Sequence, residues 1–176
     1  MSSGGYKVDD QAGVYFITCT VHQWVDVFTR RLYADILLES IRFCQQTKGL
    51  EVYAWVVMSN HILLIVSSKS ANLSDTIRDF KKYTAKKIVE AIDQNAKESR
   101  RNWLLWLFKK EDGICFWEAG YHPEEIRKSD FFNSKVDYIH FNPVRAGIVE
   151  KEEEYLLSSC GDFYRTRKGL LKLAIW

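Results

Sequence analysis

Residues 50–58 and 61–66 are two apolar runs rich in β-branched side chains, separated only by Ser59-Asn60. So short a polar break between segments of strand length makes the chain double back as a tight hairpin. A third run, residues 13–21, alternates apolar and small polar residues and reads as an earlier strand. Between them Leu32, Ile36, Leu37, Ile41 and Cys44 recur at steps of one, three and four, which predicts an amphipathic helix over 30–48 that ends at Gly49. The opening order is therefore strand, helix, strand, strand.

Asn72 is placed as the N-cap of a second helix to about residue 95, with Leu73, Ile77, Phe80, Thr84, Ile88 and Ala91 as its buried stripe. Residues 103–110 read as a shorter helix in which Trp103 and Trp106, three apart, are assigned to the core. Residues 113–123, with Trp117 and Tyr121, read as loop or short strand lining the core or a cleft rim. Phe132, Val136 and Ile139 share one face of a last helix over 129–141, and Pro143 is expected to stop it. Strands mixed with helices in this order predict an α+β sandwich with an antiparallel β-sheet packed with α-helices, and a ferredoxin-like layout fits.

A chain of 176 residues that is 47% hydrophobic and 14% aromatic can bury a proper core, and residues 1–176 are read as one domain with 1–10 as a flexible leader. A net charge of +2 and pI near 8.3 create no global field that calls for a polyanion, so nucleic-acid binding has to be argued from local clusters. Cys19, Cys44, Cys115 and Cys160 stand apart with no Cys-x-x-Cys pair, which disfavours a zinc ribbon or a disulfide scaffold. With no signal-peptide pattern and no apolar run near ~20 residues, the expectation is a cytoplasmic protein without membrane association.

The chemistry centres on Tyr138 and His61. On a helical wheel the stripe of Phe132, Val136 and Ile139 centres about 130° from Tyr138, whereas Asn142 falls only about 40° from it. Tyr138 thus shares a polar face with Ser134, Lys135 and Asn142, as a nucleophile aimed into a cleft would; the plainer reading is a surface tyrosine resting on a neighbour. His61 shares one side of its strand with Leu63 and Ile65, either as a metal ligand or as a hydrogen-bonded edge histidine. Asn60 is most simply a turn residue.

Four ordered blocks carry a resemblance: Val-Val-Met-Ser-Asn-His-Ile-Leu-Leu-Ile-Val at 56–66, Leu-Ser-Asp-Thr-Ile-Arg-Asp-Phe-Lys-Lys-Tyr at 73–83, Phe-Trp-Glu-Ala-Gly-Tyr-His-Pro-Glu-Glu-Ile at 116–126, and Asp-Tyr-Ile-His-Phe-Asn-Pro-Val-Arg-Ala-Gly-Ile-Val at 137–149. Together they resemble the REP-associated tyrosine transposases, a branch of the HUH single-strand DNA nucleases, over about residues 13–160. The resemblance implies a ferredoxin-like sheet with His-hydrophobic-His on a central strand and a catalytic tyrosine on a helix. Carried over, Tyr138 is the nucleophile, and His61 and Asn142 are ligands of Mg²⁺ or Mn²⁺. The ion polarises the scissile phosphate while tyrosine attacks in line, leaving a 5′-phosphotyrosine and a 3′-hydroxyl. This sequence departs at Leu63, where the second histidine is expected; His22, His122 or His140 are the conceivable substitutes, and Asp75, Asp79 and Glu125 conceivable helpers. The implied partner is single-stranded or hairpin DNA, and the resemblance admits a homodimer as well as a monomer.

DNA binding does not need position 63. Arg78, Lys82 and Lys86 recur every four residues and, with Lys81, form a basic ridge on the second helix; an ordinary solvated face is the alternative. Arg100 and Arg101 beside Trp103 and Trp106, and Arg165, Arg167 and Lys168 after Phe163 and Tyr164, interleave cations with aromatics as single-strand binders do. The acidic stretch at 150–154 reads as a solvated face elsewhere. Two functions compete: a metal-assisted DNA nickase, and a hairpin-binding module that Leu63 leaves unable to cut. RNA binding on the sheet is a weaker third, since the aromatic sheet signature of an RRM is absent.

Overall fold

The computed structural model describes residues 7–176. The flexible-leader expectation falls, for residues 1–6, outside the described residues. Eleven elements follow: β1 (Val14–Thr20), α1 (Arg31–Thr47), β2 (Leu50–Val57), β3 (His61–Ser68), α2 (Leu73–Gln94), α3 (Arg101–Phe108), β4 (Lys109–Lys110), β5 (Gly113–Ile114), β6 (Glu124–Ile126), α4 (Ser129–Arg145) and α5 (Cys160–Phe163). The main sheet is antiparallel in the order β2-β3-β1-β6, the ferredoxin-like arrangement of a strand-helix-strand repeat.

Period-two geometry sorts the strand side chains into two layers. Ile62, Leu64 and Val66 of β3 face the larger core with α1 and α2, while Leu63 and Ile65 face a smaller core with Phe132, Val136 and Ile139 of α4. Both faces of β2 and β3 are thus covered, which explains why they read as nearly unbroken apolar runs. A bulge between Val52 and Ala54 puts the consecutive residues Tyr53 and Ala54 on the α4 side. The outer edge of β2 is closed by the chain itself: Val57 N donates to Leu157 O at 2.9 Å, Ser159 N to Trp55 O at 2.9 Å, and Ala174 N to Val52 O at 2.7 Å.

Several expectations need correction. α4 does not stop at Pro143; it runs through the proline to Arg145, and Gly147 ends it. With Gly147 at φ 73, Ile148 N donates to Pro143 O and Gly147 N to Val144 O, the paired bonds of a Schellman cap. A proline loses one hydrogen bond but, buried against the sheet, does not end a helix whose cap lies downstream. Trp103 and Trp106 are exposed rather than core. Asn72 precedes α2 without capping it through its side chain, whose Oδ1 instead takes the Ser68 hydroxyl at 2.6 Å. In α2, Ile92 is fully buried where Ala91 is only half-buried. The third helix begins earlier, at Arg101, and β6 was not anticipated, because Glu124-Glu125-Ile126 carries no strand pattern.

One buried carboxylate ties the helical layer together. The Glu98 side chain is fully buried, accepts from Arg30 Nε at 2.5 Å and Arg100 Nε at 3.3 Å, and lies 3.2 Å from the Tyr33 hydroxyl. Burial pushes the Glu98 carboxyl up, but the hydrogen bonds from Arg30 and Arg100 outweigh it, leaving its pKa below the ordinary 4.5. A carboxylate lowered in this way stabilises the fold above its unfolded pKa, and that stability is lost as pH falls through it. Replacing Glu98→Gln should therefore cost about 3 kcal/mol at pH 7, the lower end for breaking a buried pair, since both arginines are partly solvated. Denaturant melts should show this difference shrinking below about pH 4.5; an undiminished difference at pH 3.5 would refute the ion-pair account.

Candidate active site

His61 opens β3 and projects to the α4 side, the face it shares with Leu63 and Ile65. Its Nδ1 lies 2.7 Å from Asn60 Oδ1, and Asn60 Nδ2 in turn donates to Trp24 O at 3.2 Å. With the amide anchored that way, Nδ1 carries the proton and the Nε2 lone pair is left to act. Burial lowers the His61 pKa, which keeps the ring neutral at pH 7. Asn60 is therefore more than a turn residue: it orients the ring, as partners of metal-binding histidines do.

Tyr138 stands on the outer side of α4, 47% exposed, with its ring edge-on to Phe16 of β1 at 5.9 Å. Two cations flank it. Lys135 Nζ sits 5.8 Å from the ring centroid, closer to Phe16 at 4.3 Å and paired with Glu124 at 3.1 Å, while Arg145 Cζ lies 4.6 Å from the Tyr138 centroid and Arg145 Nη2 donates to Tyr138 O at 2.6 Å. Arg145 is seven residues on, within roughly 20° of Tyr138 around the helix, and reaches the same face because α4 continues past Pro143. Neither cation was picked out as a binding residue from sequence; the seven-residue spacing held the signal for Arg145, hidden by the premature helix end. Asn142 is half-buried on the same side, one turn beyond Tyr138.

The third corner of the expected ion site is apolar. Leu63 is 2% exposed, packed in the α4-side core between Thr18 on β1 and Val56 on β2. Among the described residues no group of three His, Cys, Asp or Glu could hold a metal ion. Two of the substitutes are engaged elsewhere: His22 Nδ1 pairs with Glu118 at 3.2 Å, and His140 is buried behind α4, bonded through Nε2 to Ser159 Oγ at 2.8 Å, with burial lowering its pKa to about 4; His122 is exposed in the loop before β6. Asp75 and Asp79 pair with Arg78, and Glu125 with Arg127. His61 and Asn142 alone do not make the three-donor set that the resemblance implies.

The basic residues divide sharply. The α2 ridge lies on the face of the sheet opposite Tyr138. In it Arg78 is held by Asp75 and Asp79, and Lys81, its pKa lowered by burial, donates to Glu118 O at 3.0 Å and to Gly120 O; Lys82 and Lys86 remain exposed. Arg100 bridges Glu98 and Asp26 O, Arg101 pairs with Asp93 at 2.5 Å, and Arg167 donates to Glu153 O and Tyr155 O. Arg165 and Lys168 stay exposed beyond α5, which packs on the α4 side through Phe163.

If His61 and Asn142 form two corners of an incomplete ion site, Leu63→His should raise Mn²⁺ affinity by more than about tenfold, since a missing donor outweighs the ~10- to 100-fold effects of groups that merely orient donors. Calorimetric titration with Mn²⁺ checks this, and equal affinities would show that position 63 does not face the ion.

The sequence matches the family described as "Transposase IS200 like" over residues 12–142. No curated protein matches it. Among solved structures, a REP-associated tyrosine transposase bound to a REP hairpin superposes with a TM-score of 0.68 at 20% identity, covering 97% of this chain and 90% of that one. A structure described only as a candidate transposase from Deinococcus radiodurans R1 gives a TM-score of 0.47 at 18% identity, covering 79% of this chain and 95% of that one.

Proposed function

Because this chain belongs to the IS200-like transposase family, we propose that it binds single-stranded or hairpin DNA on the α4 side of its sheet and nicks and rejoins it through Tyr138. The observation that carries this reading is a half-exposed tyrosine set between Lys135 and Arg145 on the helix that faces the His61 strand. The neighbour bound to a REP hairpin supports hairpin DNA as the partner class.

In the proposed reaction Tyr138 Oη attacks phosphorus in line, the P–O3′ bond breaks, and a 5′-phosphotyrosine forms. The phenolic proton is released to solvent and the departing 3′ oxygen takes up a proton to become the 3′-hydroxyl. A free tyrosine, with a pKa near 10, is a weak nucleophile at neutral pH, so the electrophile needs positive charge close by. In this reading Arg145, and Lys135 once a phosphate displaces Glu124 from it, supply charge-assisted hydrogen bonds to the phosphate oxygens without any contribution from position 63. Tyr138 and His61 face the same side of the sheet, Tyr138 resting on Phe16, whose partner Ile65 lies four residues along β3 from His61.

A second reading has its own observation. Leu63 is buried and offers no donor, which supports a hairpin-binding module that has lost cleavage. Labelled hairpin DNA incubated with Mn²⁺ separates the two. A covalent adduct that vanishes in Tyr138→Phe is expected from the nickase, whereas tight binding with no adduct would leave the binding module. Arg145→Ala should reduce adduct formation by roughly 10- to 100-fold, as losses of charge-stabilising donors do, and an unaffected rate would remove Arg145 from the site.

A further inference from the structure

Residues 22–24 form a short helical turn whose backbone is strained at two consecutive positions, Gln23 at φ 54 and Trp24 at φ 57. Residues other than glycine avoid this region unless the surroundings hold them in it. Here they do. Gln23 N donates to Glu118 Oε1 at 2.7 Å, Trp24 N donates to Val21 O at 2.9 Å, and Trp24 O accepts from Asn60. The loop carrying Glu118 is itself fixed, by Glu118 N donating to Thr20 O at 2.8 Å and by Lys81 on two of its carbonyls.

What this scaffold presents is an indole 63% exposed, its ring 6.4 Å from His61 and edge-on to it. The indole contributes little burial to the fold, yet the same asparagine that fixes the histidine ring also holds its backbone. A large flat ring kept in the open beside His61 matches the surface an unstacked base takes.

We propose that Trp24 is a stacking platform for one unpaired nucleobase of the strand that runs past His61, an inference that rests on the DNA-binding reading above. Because every base offers a π-face, the platform would favour single-stranded DNA at that position without selecting a particular base.

The test uses the full chain with a DNA hairpin carrying single-stranded flanks on both sides, 2-aminopurine being placed at one flank position at a time. Wild type should quench the probe at one position, Trp24→Phe should keep part of that quenching, and Trp24→Ala should lose it. Affinity for the flanked hairpin should fall roughly 5- to 150-fold in Trp24→Ala, as for loss of one base-aromatic stack, while affinity for a blunt hairpin stays unchanged. Trp106→Ala, which removes another exposed indole, should behave as wild type. Undiminished quenching in Trp24→Ala, an equal loss for the blunt hairpin, or a concentration-dependent dimer that Trp24→Ala abolishes would overturn the platform. Failure of the wild type to bind any of these DNAs would overturn the DNA-binding reading and the platform with it, whereas binding with unaltered probe signals sinks the platform alone.

Discussion

Burial of the β2–β3 hairpin on both faces is the constraint from which the rest of the architecture follows. Because β3 carries apolar side chains to both layers, it can serve neither as an edge nor as a half-exposed strand, and it must be flanked by β2 and β1. A one-residue slip would exchange Ile62, Leu64 and Val66 with His61, Leu63 and Ile65 between layers. It would move His61, the one polar ring of β3, away from α4, so the register of the strand and the placement of His61 are fixed by the same packing.

That packing is also why so much of the fold was legible from sequence. The hairpin, α1 with its Gly49 stop at φ 70, and most of the α2 stripe follow from local periodicity and a glycine that must adopt positive φ. What escaped depends on tertiary context. β6 is three residues long and owes its pairing to β1 rather than to any pattern of its own. The three-residue spacing of Trp103 and Trp106 suits a core face, but the buried side of so short a helix is filled by Leu104, Leu107 and Phe108. For the site, the helical wheel put Tyr138 and Asn142 off the core stripe correctly, whereas the roles of Asn60 and Arg145 needed contacts that no spacing rule encodes.

Charge tells a similar story. The sequence shows clusters of lysine and arginine, but a cation counts toward a polyanion only where its charge is not already spent. Arg78, Arg100, Arg101 and Arg167 are engaged with carboxylates or backbone carbonyls, and Lys81 is a strut between α2 and the loop that supports Trp24. The exposed, unengaged Arg165 and Lys168 fall on the α4 side, the side of Lys135 and Arg145, while the α2 ridge keeps only Lys82 and Lys86.

Leu63 then reads as a trade between stability and coordination. A fully buried leucine contributes about 1.5–3 kcal/mol by removal of its surface from water. A histidine at the same place would bury a polar ring, at a cost of about 1–3 kcal/mol unless a hydrogen bond or an ion satisfied it. Thr18 and Val56, its cross-strand neighbours, give the leucine a site with one hydroxyl and no charge. Leucine at this position favours packing over coordination, and the two cations against the Tyr138 ring are themselves engaged, Arg145 with Tyr138 O at 2.6 Å and Lys135 with Glu124 at 3.1 Å. Arg145 in turn depends on a helix that a proline bends the odds against and Gly147 carries to its proper end.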